Sequence, residues 1–137
     1  MDAFKGKYER VSAENYEEFL KELDVNFLLR KAATVSTPVM EVSEEGGVWT
    51  IKTSTTLKSM ELKFKVGEEF EETTADGREV TAKVIVDGNK FVSEQKAKKD
   101  GQKSTKTIRE FNGDEVVQTM TVDGNDSLVC VQKFKRI

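Results

Sequence analysis

The sequence predicts an all-β fold: one strand, a helical hairpin, then about nine strands in succession, arranged as a meander, sandwich or barrel. Three observations carry this. Clusters of Gly, Asn and Asp recur after residue 40. The segments between them alternate apolar with polar residues. Only one stretch, residues 15–35, has helical spacing.

The elements follow in order. The first strand lies before residue 15. Tyr16, Phe19, Leu20 and Leu23 then keep an i, i+3, i+4, i+7 pattern, which puts four apolar side chains on one helical face. Asn15 is placed as the N-cap, and Glu17 and Glu18 suit the positive end of the helix dipole. A second short helix is expected from about Asn26 through Phe27-Leu28-Leu29-Arg30-Lys31-Ala32-Ala33. It starts so soon after the first that the two form a hairpin. Pro38, the only proline, precedes the next strand, where a missing N–H is tolerated.

Turns are expected at Glu45-Gly46-Gly47, Val66-Gly67, Asp76-Gly77, Asp87-Gly88-Asn89, Asp100-Gly101, Asn112-Gly113-Asp114 and Asp123-Gly124-Asn125. From Gly67 on they recur every ten to thirteen residues. Gly, Asn and Asp supply the positive φ angles of tight hairpins. Short strands at this spacing make a meander, sandwich or barrel. Between turns, Met60, Leu62, Phe64 and Val66 interleave with Ser59, Glu61, Lys63 and Lys65, so the two sets take opposite faces. No strand is apolar on both faces, which argues against a buried parallel sheet. The longest hairpin turn is expected in the Lys-rich stretch 94–106.

Composition narrows the function. At 137 residues the chain suits a single domain, taken as 1–137. Basic and acidic residues number 22 and 25, a net charge of −3. Nucleic-acid binding as the main activity is disfavoured, because phosphate contacts call for a basic excess. The absence of histidine removes the usual general base and the commonest metal ligand. A lone Cys130 builds neither an intrachain disulfide nor a thiolate cluster. No cofactor or metal is expected, and no nucleophile–base constellation marks an enzyme. MDAFKGKYER lacks the apolar run of a secretory signal, and no stretch approaches the roughly 18 apolar residues of a membrane span. A cytoplasmic monomer is expected, with the nucleus as a second compartment.

Two strings carry a family resemblance. Gly6-Lys7-Tyr8-Glu9-Arg10-Val11-Ser12-Ala13-Glu14-Asn15-Tyr16-Glu17-Glu18-Phe19 has an aromatic after Gly and then Asn-aromatic-acidic. Phe64-Lys65-Val66-Gly67-Glu68-Glu69-Phe70-Glu71-Glu72-Thr73-Thr74-Ala75-Asp76-Gly77-Arg78 follows. Together with the element order they resemble the intracellular lipid-binding proteins, which include fatty-acid-binding proteins and cellular retinoid carriers. The resemblance covers nearly the whole chain. Arg10 departs from it, since the family usually has an aliphatic residue there. The resemblance implies a ten-stranded antiparallel up-and-down barrel, flattened like a clam, with the helical hairpin over one end and a hydrophobic ligand inside.

In that family an arginine on a late strand and an Arg-x-Tyr on the last strand bind the ligand carboxylate. Arg109 matches the first. Gln132-Lys133-Phe134 stands where Arg-x-Tyr is common, so the resemblance implies one cation and one amide. Retinol carriers also have Gln on the last strand, but they replace the earlier arginine too. A count through the hairpins supports a shared face. If Gly113-Asp114 is a two-residue loop, Arg109 faces Gln118. If the last turn centres on Asn125, Gln118 faces Gln132. On alternation alone, an arginine on such a strand is usually a surface residue. Resemblance also places Thr53, Lys58, Ala75 and Asp76 near the cavity or its entrance, and Leu57 where a portal Phe is common. Trp49 shares parity with Thr53. Phe134 and Met120 are apolar on the ligand side, and Tyr16 belongs to lid or ligand. The expected partner is a long-chain fatty acid, with a retinoid as the alternative. Lys21, Arg30 and Lys31, on the lid, are candidates for transient contact with anionic membrane.

Overall fold

The computed structural model describes residues 2–56 and 58–137. After a single 3-10 turn at Asp2–Phe4, β1 (Gly6–Glu14) leads into α1 (Tyr16–Glu22) and α2 (Phe27–Val35). Nine strands follow: β2 (Val39–Glu45), β3 (Val48–Ser54), β4 (Ser59–Phe64), β5 (Glu69–Thr73), β6 (Glu79–Asp87), β7 (Lys90–Ala97), β8 (Thr105–Asn112), β9 (Glu115–Val122) and β10 (Asn125–Arg136). All ten belong to one antiparallel sheet in the order β4-β3-β2-β1-β10-β9-β8-β7-β6-β5. The sheet curls into a nearly closed barrel. Its two edge strands are consecutive in the chain, and no ladder joins them among the described residues. Stacked rings of Phe64 and Phe70, with centroids 5.9 Å apart, and a bond from Gly67 N–H to Val84 O (2.8 Å) span the gap.

Because each strand reverses on its predecessor, all odd connections gather at one end. The helices, the connection between β3 and β4, the turns at 74–78 and 123–124, and the loop 98–104 form the lid end. The turns at 46–47, 65–68, 88–89 and 113–114 form the floor end. Gly113 and Gly124, at φ 63° and 87°, supply the left-handed backbone that two-residue hairpin turns require.

Two apolar clusters occupy these ends. The floor holds the rings of Phe4, Tyr8, Trp49, Phe64, Phe91 and Phe111 with Met40, Val42, Ile51, Val84, Val116 and Phe134. Phe91, fully buried, meets Phe4, Trp49, Phe64 and Phe111 edge-on at 4.9–5.7 Å. Edge-to-face contacts of this kind add to the stabilisation from burial. Under the lid, Phe19 and Leu20 of α1 pack on Val122 and Cys130.

Two local expectations change. Asn15 does precede α1, but its backbone is left-handed (φ 59°) and its side chain makes no cap bond. Its Nδ2 donates instead to Val129 O at 3.0 Å, tying the lid to β10. Asn26, by contrast, caps α2 with Oδ1, which accepts from Leu29 N–H at 3.0 Å. The long loop shrinks to 98–104, because Gln95 and Thr105 still pair across the ladder. Leu57 lies outside the described residues.

Candidate functional site

Alternation decides which side chains face the interior. On β8 these are Thr105, Thr107, Arg109 and Phe111; on β9, Val116, Gln118, Met120 and Val122; on β10, Cys130, Gln132 and Phe134. The ladders put Arg109 opposite Gln118 and Gln118 opposite Gln132. The polar row across three strands therefore exists, although one step of the counting differs. The last turn pairs Val122 with Asn125, which alone would set Gln118 against Val129. A bulge between Asn125 and Val129 shifts the register and restores Gln132 to the row.

The row lies one layer above the aromatic floor. Arg109 Nε donates to Gln118 Oε1 at 3.0 Å, and Gln118 Nε2 approaches Met120 Sδ at 3.6 Å. Arg109 Nη1 and Nη2 have no hydrogen bond among the described residues. Burial lowers the guanidinium's pKa, and the Glu72 carboxylate partly offsets this. Glu72 is itself engaged, accepting from Gln95 Nε2 at 3.1 Å. Among the described residues the arginines in ion pairs are Arg78 and Arg136, not Arg109. A buried guanidinium without a counter-charge costs several kcal/mol.

The inward side chains around this row do not fully close over one another. Thr53, Met60, Leu62, Phe70, Glu72, Gln95, Arg109 and Met120 all point inward by parity, yet each is only half-buried. Each therefore keeps surface that its neighbours do not cover. In a tightly filled small barrel these layers would close on one another.

The remaining expected site residues separate into groups. Trp49 and Phe134 face inward but are buried in the floor, 5 % and 2 % exposed. They form the base of the cavity rather than an open wall. Tyr16, the first residue of α1, packs on the same apolar cluster as Met120, its ring 5.3 Å from the Arg10 guanidinium. Lys58 and Ala75 are exposed in lid-end turns. Asp76 turns its carboxylate to Arg78, with bonds of 2.7 and 3.1 Å, and accepts from Thr74 Oγ1 at 2.8 Å. That pair braces the 74–78 turn, and Arg78 Nη1 extends it to Lys103 O at 2.7 Å. A cleft of about 250 Å³ opens beside it, between the end of α1 and these turns.

Sequence reasoning missed Arg10. It shares the inward face of β1 with Tyr8, and its Nη1 donates to Gln132 Oε1 at 3.1 Å. The signal was available: two residues from an inward aromatic on an alternating strand, an arginine also faces inward. Cys130 lies beside Gln132, its thiol pushed up to about 12 by burial. It is a protonated, unreactive thiol at neutral pH.

Comparison with known proteins follows this geometry. Residues 5–135 match the model of the lipocalin / cytosolic fatty-acid binding protein family. The chain is 43% identical over 132 residues to a fatty acid-binding protein of Lepidoglyphus destructor, covering 96% of this chain and 95% of that one. It is 44% identical over 140 residues to human cellular retinoic acid-binding protein 2, covering 99% of each. The structure of a Schistosoma mansoni fatty acid binding protein in complex with arachidonic acid superposes with a TM-score of 0.90 at 30% identity, covering 100% of this chain and 98% of that one.

Proposed function

We propose, on the premise that this chain belongs to the lipocalin / cytosolic fatty-acid binding protein family, that it carries a fatty acid inside the barrel with the carboxylate at Arg109. One observation carries the placement: an inward-facing, desolvated guanidinium whose two terminal nitrogens make no hydrogen bond and which forms no ion pair among the described residues. A carboxylate supplies that charge through charge-assisted hydrogen bonds. The tail then lies along Met120, Leu62, Met60 and Phe70, each buried methylene contributing about 0.8 kcal/mol. Lost ligand freedom offsets much of this gain.

A retinoid is the second reading, favoured by the 44% identity to human cellular retinoic acid-binding protein 2. Arg109 selects retinoic acid over retinol within that reading. The family is one of lipid-binding carriers, and we read this chain as non-catalytic: it has no histidine, and its one thiol is protonated at neutral pH. We place it in the cytoplasm, with delivery to the nucleus as an extension. Among the described residues no helix is long and apolar enough to cross a membrane.

Contact with anionic membrane fits α2, where Phe27, Leu28 and Leu29 are exposed beside Arg30 and Lys31. Two of the three cations are partly engaged. Lys31 Nζ meets Glu17 Oε2 at 2.8 Å and Arg30 Nη1 donates to Val25 O at 2.7 Å, leaving Lys21 freest. Neutralising Lys21, Arg30 and Lys31 together is expected to slow transfer to anionic vesicles; an unchanged rate would remove this reading.

The test of the main reading is a titration of delipidated protein with oleate, retinol and retinoic acid, on wild type and Arg109→Ala. Tight oleate binding that weakens about tenfold or more in the variant is expected, since hydrogen bonds to charged groups contribute about 1.5–3 kcal/mol. Preference for retinol, indifferent to the substitution, would contradict it.

A further inference from the structure

Arg10 is the one arginine of the interior that the family pattern does not supply. It is only 9 % exposed, and no carboxylate among the described residues pairs with it. A bulge follows it at Val11, where the β1–β10 register slips between Arg10 and Ser12. Bulges re-aim neighbouring side chains. Here Arg10 stands opposite Phe134 in the ladder but reaches toward the lid, to Gln132.

The two ends of its guanidinium do different things. Nη2 donates to the carbonyls at the C-terminal end of α2: Ser36 O at 2.7 Å, Ala33 O at 3.2 Å and Thr34 O at 3.4 Å. A cation is favoured there by the helix dipole and the unpaired carbonyls. The guanidinium fork is planar and rigid. With Nη2 fixed on the helix end, Nη1 is held against Gln132 Oε1. The amide oxygen thereby accepts one bond, and the Gln132 NH2 is turned away from Arg10, on the side of the Cys130 thiol. Arg109 treats Gln118 the same way, donating to its Oε1. The row Arg10–Gln132–Gln118–Arg109 then holds two guanidinium cations and two amides whose oxygens each accept one bond from a guanidinium.

Such a row discriminates between head groups. A carboxylate only accepts and can satisfy it completely. A hydroxyl brings no charge to the two guanidiniums and meets amide oxygens that each already hold one bond, so it gains less from the row. We infer that Arg10 is a specificity-determining positioning residue: anchored on the C-terminal carbonyls of α2, it turns the Gln132 amide so that the site takes acids over alcohols. This rests on the carrier reading and deepens it.

The test compares oleate with oleyl alcohol, which share a tail, on wild type, Arg10→Met, Gln132→Leu and the double variant. Arg10→Met is expected to weaken oleate about tenfold, the effect of losing one charge-assisted hydrogen bond. Oleyl alcohol is expected to change by less than about threefold, so the acid-to-alcohol ratio falls. The double variant is expected to bind oleate no worse than Gln132→Leu, because Arg10 acts through that amide. Equal losses for acid and alcohol would make Arg10 a structural anchor only and overturn the inference. So would additive losses in the double variant, or an unchanged ratio. If Arg10→Met does not fold, Arg10→Lys decides by the same ratio: it keeps the charge but cannot bridge the helix end and Gln132. Wild type that binds neither lipid would overturn the carrier reading and this inference together; wild type that binds oleate with a ratio insensitive to residue 10 overturns this inference alone.

Discussion

The floor and the polar row sit one layer apart in the same barrel and solve opposite problems. In the floor every inward side chain meets another. Phe91 touches four rings, and the Tyr8 hydroxyl has both a donor and an acceptor partner, Arg136 Nη2 at 3.0 Å and Phe4 O at 2.9 Å. One layer up, Arg109 keeps two unbonded nitrogens and half-buried neighbours. The difference separates stability from affinity: the floor contributes folding free energy, and the row holds unmet hydrogen-bonding capacity that, on the proposed reading, a ligand completes.

The largest effect should come from the floor. Phe91→Ala removes the ring at the centre of the cluster and is expected to cost about 3–5 kcal/mol of stability, read by urea unfolding. Oleate affinity of the still-folded protein should change little, because the head-group row is untouched. The reverse holds for Arg109→Met. Oleate affinity should fall by about 2 kcal/mol, while ligand-free stability stays level or rises, since an uncompensated buried charge is gone. A ligand-free Arg109→Met protein that melts well below wild type would break the comparison.

Smaller effects sharpen it at the lid. No residue of α2 is buried, so its cap and its end contacts matter more than its packing. Asn26→Ala removes the Oδ1 cap and is expected to cost α2 about 1 kcal/mol, seen as faster amide exchange confined to the helix. Cys130 gives a pH signature. Its folded-state thiol stays protonated to about 12, against an ordinary 9.0. The unfolded chain therefore loses its proton first, and this contribution to stability is intact below pH 9 and declines between about pH 9 and 12. Cys130→Ala should flatten that part of the stability–pH curve.

Much of this was legible in the residues. Evenly spaced Gly and Asn marked the turns because positive φ restricts which residues stand there, and period-two alternation then fixed the inward faces. Arg109 and Gln118 could be paired by counting, because Gly113-Asp114 forms the shortest loop. Gln132 reached the row by another route: a bulge in β10 supplied the shift that the count assigned to the turn, and bulges leave no residue pattern of their own. Parity placed Trp49 and Phe134 inside but could not tell cavity from floor, which depends on the depth of packing. The Asp76 carboxylate is engaged by Arg78, a contact set by the turn's conformation that no residue pattern announces. Arg10 was noticed as a departure from the family, yet its bond to Gln132 joins residues 122 positions apart and needs the β1–β10 pairing to be seen.

The central claim is that the carboxylate lies inside, at Arg109. Carbon NMR of carboxyl-labelled oleate bound to the protein, followed as pH is lowered, tests it most directly. In the wild type the bound carboxyl is expected to stay ionised well below the ordinary carboxylate range, because an adjacent guanidinium favours the charged form. The shift should shrink in Arg109→Met. A wild-type complex whose carboxyl titrates as it does in water would place the head group at the lid end in solvent, and would contradict the account.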